Sequence, residues 1–174
     1  NYIVPNQWQG RFEQIQLIGD KKGNASSILL DQNISLLSKL RETVKVPIRI
    51  LHVVRNPYDT ITRMFTLYPG SSFTKQKPAS LADSIKTYFS RCDAVMKVAN
   101  ACSTDEFMTI RHEAFIDRPE KQLKQTCAFL GLECSEAYLH DCASIVYKSP
   151  HQSRYETAWS CLLYTSPSPR DSCA

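Results

Sequence analysis

A chain of 174 residues is long enough to bury one hydrophobic core, and its 21 basic and 17 acidic side chains leave a net charge of only +4. It has no long run of Lys and Arg, so the signal for a nucleic-acid-binding surface is weak. The mildly basic net charge fits an anionic small molecule equally well. No apolar run approaches the roughly 18 residues that a membrane-spanning helix needs.

The first predicted strand is Ile15–Gly19, and the charged segment Asp20–Lys22 follows at its carboxyl end. Apolar residues then recur at helical spacing from Leu29 to Val44, which predicts one helix. Pro47 ends that helix, because a proline ring cannot continue helical hydrogen bonding.

A second, buried strand is predicted at Ile50–Val54, and Arg55 follows it directly. Asn56 is a favourable N-cap and Pro57 a favourable first residue for a helix of about ten residues. Asp59 lies three residues after the cap, where its carboxylate can reach back to the Asn56 N–H, as in a capping box. A cation between a strand end and a helix N-terminus can bind a phosphate, although Arg55 could instead pair with Asp59.

The second half of the chain continues the same alternation. Composition predicts a loop at Tyr68–Ser80, and apolar periodicity predicts an amphipathic helix at Leu81–Ala101. A strand is predicted at Glu106–His112. A further helix is predicted between Asp117 as its N-cap and Gly131 as its C-terminal cap. Ser135–Tyr147 is predicted as the last helix.

Strands that alternate with helices predict an α/β domain, a parallel sheet flanked by helices. Ligands of such sheets bind at the carboxyl ends of the strands. All three predicted strands end on charged side chains, at Asp20–Lys22, Arg55 and Arg111–Glu113. We therefore expect the lysines and Arg55 to converge on one cleft.

The end of the chain differs in composition from the rest. Cys161–Asp171, with the sequence CLLYTSPSPRD, matches the translation of a transposase adapter used in sequencing libraries. A natural Ser/Pro-rich tail is the alternative. We interpret residues 1–160 as a partial domain and residues 161–174 as a non-native tail, which we expect to make few contacts and to have no regular packing against the domain.

The cysteines that precede this tail show neither C-x-x-C spacing nor a histidine at zinc-ligand spacing. Cys92 and Cys127 fall on apolar helix faces, which predicts packing rather than chemistry. The odd count leaves the disulfide state open for all of them: Cys92, Cys102, Cys127, Cys134 and Cys142.

Four motifs between Asn1 and Ser160 resemble the sulfotransferases that use 3′-phosphoadenosine 5′-phosphosulfate (PAPS), and they occur in that family's order. VVRNPYDTITR resembles the family's 3′-phosphate motif, and TIRHEAFIDRPEKQLKQTCAFLGL resembles its later strand and FLGL helix. SRYETAW resembles its C-terminal Ser-x-Arg element near the nucleotide. IGDKKG resembles the strand-end lysine segment of the family's carbohydrate-type branch. The resemblance implies a P-loop nucleotide-kinase-like sulfotransferase fold.

The resemblance also implies an activity, which is transfer of a sulfonate from PAPS to a hydroxyl or amine acceptor, a carbohydrate in that branch, without a metal. Arg55 would clamp the 3′-phosphate, and Arg154 would close over the nucleotide. We therefore expect Arg154 to share the cleft of Lys21, Lys22 and Arg55. Lys21 or Lys22 would be the cation near the sulfonate, and Asp20 is a weak candidate for the general base.

The sequence departs from the family pattern in two places. Nothing in Asn1–Gly19 matches the P-K/R-x-G-[ST]-[ST] turn that wraps the 5′-phosphosulfate. We therefore expect the chain to lack its first strand and this loop, and to be inactive as given. Eight residues after the motif arginine, where the family usually has Ser, stands Arg63. Either Thr62 supplies the hydroxyl, or Arg63 itself contacts the 3′-phosphate.

Several interpretations stay open. A kinase-like P-loop phosphotransferase would need G-x-x-x-x-G-K-[ST], which this sequence lacks. A non-catalytic nucleotide-binding or interaction domain of the same fold is the other alternative, which Arg63 favours. Glu113 could fix loop backbone or touch the ligand, and His52 is expected to be a core or semi-buried histidine.

The resemblance places the protein in the Golgi lumen, with the cytoplasm as the alternative. Its membrane contact would come only through a tether outside this sequence. Asn24 and Asn33 begin N-x-S sequons, which are compatible with a lumen. The expected partner is a small-molecule or glycan acceptor, not a nucleic acid.

Overall fold

A computed structural model of the chain describes residues 4–7, 14–21, 23–67 and 80–159. Its centre is a parallel pair of strands, β1 (Ile50–Val54) and β2 (Phe107–Arg111), which run in register from Ile50 opposite Phe107 to Val54 opposite Arg111. Both strands begin and end within two residues of the predicted positions. The predicted α/β class, a parallel sheet flanked by helices, is therefore confirmed.

Seven α-helices and one 3₁₀ helix surround this pair in the described part of the chain. They are α1 (Gly23–Gln32), α2 (Ser35–Val44), α3 (Pro57–Leu67), α4 (Leu81–Asn100), α5 (His112–Asp117), α6 (Pro119–Leu130), α7 (Glu136–Ser144) and the 3₁₀ helix Ser153–Glu156. The long helix α4 packs against both α1 and α3, α6 packs against α7, and the 3₁₀ helix packs against α3. No helix among the described residues is long and apolar enough to cross a membrane.

The core lies between α3 and α4. Ile61 and Met64 of α3 pack against Tyr88 and Cys92 of α4, and all four side chains are buried. Four half-buried apolar side chains surround them: Leu81, Ile85, Phe89 and Trp159. The predicted apolar face of α4 is thus confirmed, and Cys92 is the packing residue that its position indicated.

Two predictions for the first part of the chain are wrong. Ile15–Gly19 is not a strand but irregular backbone, and the Ile18 side chain is 85% exposed. A short apolar run becomes a strand only when a partner completes its hydrogen bonds, and no described strand lies beside it. The strand β1 is also less buried than predicted, because Val53 is 61% exposed.

The single helix predicted from Leu29 to Val44 is two helices, because the chain breaks at Asn33 and Ile34. The Ser35 hydroxyl donates a 2.6 Å hydrogen bond to Asn33 Oδ1. Asparagine favours such local side-chain bonds over the helical conformation, and apolar periodicity does not reveal this competition.

Asp117 is not the N-cap that its spacing suggested. Residues 112–117 form the short helix α5, so Asp117 ends that helix and Arg118 occupies the N-cap of α6. The other end of α6 was predicted correctly. Gly131 adopts φ +72°, the left-handed conformation that a glycine tolerates, and its N–H donates to the Ala128 carbonyl.

Three sequence expectations fall on residues that the structure does not describe. They concern Lys22, most of the Tyr68–Ser80 loop and the proposed non-native tail 161–174. The division into residues 1–160 and 161–174 stays a prediction.

A two-point ion pair joins α2 to the start of β2. Arg41 Nε and Nη2 donate to the Glu106 carboxylate at 2.9 and 2.7 Å, and Arg41 Nη2 also donates to the Ala101 carbonyl. The Ser103 N–H and hydroxyl donate to the same carboxylate. The hydrogen bond from Arg41 and those from Ser103 lower the pKa of Glu106 to about 2.

This lowered pKa predicts an acid-dependent loss of stability. The folded pKa of Glu106 lies below the unfolded value of about 4.3, so its stabilisation is complete above that value and disappears as the pH falls towards 2. We expect Glu106→Gln to lower the free energy of unfolding at pH 7 and to converge with the wild type near pH 2. Urea unfolding at both pH values measures this.

Glu42→Gln is a matched control, because it also removes one negative charge, from an exposed position on α2, the helix that carries Arg41. A Glu106→Gln deficit that is equally large at pH 2 and pH 7 would contradict the assigned role of the carboxylate.

Candidate functional site

The candidate site begins where β1 ends and α3 starts. Asn56 Oδ1 accepts hydrogen bonds from the N–H groups of Tyr58 and Asp59, at 3.0 and 3.4 Å. Pro57 occupies the first helical position, where its missing N–H costs nothing. The predicted cap is therefore confirmed, and it holds Arg55 at the junction between strand and helix.

The capping box predicted for Asp59 is wrong. The Asn56 N–H donates instead to Glu113 Oε1 of α5, at 2.8 Å. Because β1 and β2 are parallel and Val54 lies opposite Arg111, the residues that follow the two strands are neighbours. Glu113 thus fixes the backbone at the end of β1, which is one of the two roles open to it.

Asp59 instead holds the 3₁₀ helix. Its side chain is 1% exposed, and it accepts a 2.8 Å bond from the Arg154 N–H and a 3.2 Å bond from Arg154 Nη1. A buried carboxylate needs such a charged partner, since desolvation would otherwise destabilise it. The pKa of Arg154 is raised by its hydrogen bond to Tyr155 and by the charge of Asp59.

Arg55 does not pair with Asp59. Its Nη2 donates to the His151 carbonyl, just before the 3₁₀ helix. Its Nε is buried and has no hydrogen-bond partner among the described residues. The hydroxyl of Thr62, whose side chain is fully buried, also has no partner in the described part of the chain.

Arg63 lies on the side of α3 that faces the 3₁₀ helix. Its Nη1 is 3.8 Å from Glu156 Oε2, and the side chain is 39% exposed. His151 Nε2 lies 3.5 Å from the same carboxylate, and His151 Nδ1 lies 3.0 Å from the Ser153 hydroxyl. The segment 151–156 therefore contacts two cationic side chains that sequence reasoning assigned to the nucleotide, Arg55 and Arg63, and itself contains the third, Arg154.

We call this region the α3 junction, defined by Arg55, Asp59, Thr62, Arg63 and segment 151–156. It contains all four residues that were predicted to bind the cofactor: Arg55 and Arg63 contact segment 151–156, Arg154 belongs to that segment, and Thr62 precedes Arg63 on α3. Arg154 binds Asp59 through its N–H and one guanidinium nitrogen, whereas Arg55 and Thr62 each retain a buried polar atom without a partner among the described residues. Unpaired buried polar groups are uncommon in folded proteins and often mark a ligand position.

The predicted catalytic residues lie in another segment. Asp20 and Lys21 are exposed in irregular backbone before α1, and the Lys21 N–H donates to Asp20 Oδ1 at 2.8 Å. Lys22 lies outside the described residues. No contact within the described ranges joins Lys21 to Arg55, and the predicted convergence of the lysines with Arg55 stays a prediction.

Sequence reasoning did not assign Asp59 to Arg154 or Glu113 to Asn56. The partners are 95 and 57 residues apart, so no local spacing signals either contact. His52 is half-buried in β1, where burial lowers its pKa, as expected for a core histidine. Among the described residues, no group of three or more His, Cys, Asp or Glu side chains could hold a metal ion.

Comparisons with known proteins support the resemblance. A search of curated proteins and a search of solved structures each returned no match. The profile of the protein family described as "Sulfotransferase family" matches residues 21–136, a span that includes Arg55, Thr62 and Glu113 and stops before Arg154. This match covers more than half of the chain. The chain therefore belongs to the sulfotransferase family.

Proposed function

We propose that the chain uses PAPS as its sulfonate donor and that the α3 junction binds the 3′-phosphate of this nucleotide. The observation that carries the proposal is that two buried polar atoms have no partner among the described residues: Arg55 Nε, directly after β1, and Thr62 Oγ1, on α3. When bound, PAPS supplies the sulfonate that is transferred. The acceptor we propose is a hydroxyl or amine, on a carbohydrate in the Golgi lumen.

The donors at the α3 junction suit a phosphate. A guanidinium presents a planar fork of N–H groups that matches two phosphate oxygens, and a threonine hydroxyl can donate to a third. The N–H groups of Tyr58 and Asp59 are already capped by Asn56, and Pro57 has none. Side chains, rather than the amides of the first turn of α3, would therefore bind the anion.

Segment 151–156 would act as the cover of this site. Arg55 would exchange the His151 carbonyl for a phosphate oxygen, since a guanidinium binds a negatively charged oxygen more strongly than a neutral carbonyl. The Asp59–Arg154 pair would keep the segment attached to α3 during this exchange. Arg63 is half-exposed and its contact with Glu156 is long, so its charge is available to the nucleotide.

The reacting end of the nucleotide requires other groups. Sulfuryl transfer needs a cation near the bridging oxygen of the leaving nucleotide and a base on the acceptor, as phosphoryl transfer does. We propose Lys21 or Lys22 for the cation and Asp20 for the base. The exposed position of Lys21 leaves its ammonium free to approach an anion.

A non-catalytic nucleotide-binding domain is the second candidate. The observation that favours it is that no P-K/R-x-G-[ST] turn occurs within the 174 residues. For the same reason we propose that the chain as printed does not turn over PAPS. Sulfonate transfer by this chain would exclude the second candidate.

The first test is a titration with 3′,5′-bisphosphoadenosine, followed by NMR of the ¹⁵N-labelled chain. One charge-assisted phosphate contact contributes about 1.5–3 kcal/mol, well short of the roughly 8 kcal/mol that micromolar affinity requires. We therefore expect a Kd weaker than micromolar, and binding of adenosine 5′-monophosphate about tenfold weaker still. Arg55→Gln should abolish the difference between the two nucleotides.

Arg118→Gln is the matched control, because Arg118 is exposed and, within the described ranges, its side chain pairs only with the neighbouring Asp117 carboxylate. It should leave both affinities unchanged. Equal affinities of the wild type for the two nucleotides would contradict a 3′-phosphate site, and micromolar affinity would show a more complete site than the one proposed.

The second test concerns the unpartnered hydroxyl. Thr62→Val replaces the hydroxyl by a methyl group of similar size, and this removes no hydrogen bond to any residue that the structure describes. We expect the melting temperature to stay the same or rise by about 2–4 °C, while affinity for the bisphosphate falls. Calorimetric melting and the NMR titration measure the two effects.

Thr60→Val provides the contrast within the same helix, because the Thr60 hydroxyl donates to the Asn56 carbonyl at 3.3 Å. This variant should melt at a lower temperature than the wild type. If Thr62→Val were the less stable of the two and bound the bisphosphate normally, Thr62 would be a structural residue only.

The third test concerns the attachment of segment 151–156. Asp59→Asn keeps the shape of the side chain but removes the charge that Arg154 faces, so we expect a loss of about 1.5–3 kcal/mol in the free energy of unfolding. Asp117→Asn, at an exposed pair, should change it by less than about 1 kcal/mol. Equal effects of the two substitutions in urea unfolding would rule out a special role for Asp59.

A further inference from the structure

One motif that the α3 junction does not use is the sequon Asn33-Ile34-Ser35, which lies in the break between α1 and α2. Its three residues are all exposed. The Asn33 N–H donates to the Leu29 carbonyl at 3.2 Å, and the Asn33 carbonyl accepts from the Leu36 N–H at 3.1 Å. The backbone of Asn33 is therefore held on both sides, and its side chain lies at the surface.

The side-chain amide of Asn33 is bound through its oxygen. Asn33 Oδ1 accepts a 2.6 Å hydrogen bond from the Ser35 hydroxyl. No hydrogen bond to Asn33 Nδ2 is made within the part of the chain that the structure describes. The hydroxyl that an N-x-S acceptor requires two residues after the asparagine thus contacts the acceptor amide, and the amide nitrogen has no competing partner there.

The fold around Asn33 accommodates a large substituent. A bulky, hydrophilic group must stay at the surface, and both neighbours of Asn33 in the chain are exposed. Other residues hold the two helices in place. Lys97 Nζ of α4 donates to Asp31 Oδ1 of α1 at 2.6 Å, and Leu37 of α2 is 2% exposed. A group attached to Asn33 therefore starts outside these packing contacts.

We propose that Asn33 is the acceptor of an N-linked oligosaccharide. The pattern N-x-[ST] marks such an acceptor when it lies on a surface segment of a protein of the secretory pathway, and the break between α1 and α2 is such a segment. The inference rests on the lumenal location that we proposed with the function. It does not depend on PAPS, because Asn33 is not part of the α3 junction.

The transfer uses an oligosaccharide linked to a lipid pyrophosphate, and an oligosaccharyltransferase catalyses it. The Asn33 amide nitrogen attacks the anomeric carbon of the first sugar. A nitrogen–carbon bond forms, and the bond from that carbon to the pyrophosphate oxygen breaks. The amide nitrogen loses one proton to a base of the transferase, the lipid pyrophosphate leaves, and nothing is oxidised or reduced.

Apolar surface beside Asn33 gives the oligosaccharide a role. Leu29 is 56% exposed and Ile34 is 43% exposed. Residues four apart lie on the same face of a helix, so a group on Asn33 starts next to Leu29. A bulky, solubilising oligosaccharide there would cover apolar side chains that otherwise face water.

The test is expression of the full chain behind a cleavable secretory leader in cultured animal cells, which delivers the chain to the lumen whatever its native location. Digestion with trypsin and endoprotease Asp-N places Asn24 and Asn33 in separate peptides, Gly23–Leu30 and Asp31–Lys39. Peptide-N-glycosidase in ¹⁸O water then converts a glycosylated Asn to an Asp that carries ¹⁸O. We expect this label at position 33, and a peptide Asp31–Lys39 without label would overturn the proposal.

Substitutions in α2 test the role of the hydroxyl. Ser35→Ala should lose the label at position 33, whereas Ser35→Thr, which keeps a hydroxyl, should retain it. Ser38→Ala is the matched control, because it makes the same replacement at an exposed position of α2 outside the sequon, and it should leave the label unchanged. Label at position 33 in Ser35→Ala, or its loss in Ser38→Ala, would contradict the assigned acceptor.

A separate measurement tests the location. The native protein is isolated from the cells that make it and is digested and labelled in the same way. An unlabelled native chain beside a labelled leader-directed chain would contradict the lumenal location and support Asn33 as an acceptor. An unlabelled leader-directed chain would overturn the acceptor and leave the proposed nucleotide site unaffected.

Discussion

The buried Asp59 carboxylate is the constraint on which the α3 junction depends. Its charge is removed from water inside the protein, so its two oxygens need donors, and Arg154 supplies both the backbone and the side-chain donor. This contact fixes the 3₁₀ helix against α3. Trp159, which follows this helix, packs against the core. Its ring lies edge-on to the ring of Tyr58, with 4.8 Å between the ring centroids.

The parallel pairing of β1 and β2 provides the second constraint. It places the residues that follow Val54 next to those that follow Arg111, and the Glu113 carboxylate can therefore receive the Asn56 N–H. Glu113 therefore binds the backbone N–H of Asn56, while the side chain of Asn56 caps α3. The position of Arg55 thus depends on two strand ends rather than on its own loop.

The cations of the α3 junction differ in how far their hydrogen bonding is satisfied. Arg154 forms an ion pair with Asp59, and this contact accounts for the position of Arg154 without a ligand. Arg55 and Thr62 retain polar atoms that no described residue satisfies, and Arg63 is half-exposed. Within the α3 junction, Arg154 therefore has a structural partner, whereas Arg55, Thr62 and Arg63 are the residues for which we propose contact with the nucleotide.

The sequence by itself determined the elements whose signals are local and the family to which the chain belongs. The apolar face of α4, the cap at Asn56 and the left-handed Gly131 depend on residues within a few positions of each other, and motif order indicated the sulfotransferase family. The tertiary structure alone decided that Ile15–Gly19 is not a strand and that Asp59 and Glu113 have distant partners. Periodicity and propensity act along the chain, whereas the partner of a buried charge is chosen by which groups folding brings within hydrogen-bonding distance.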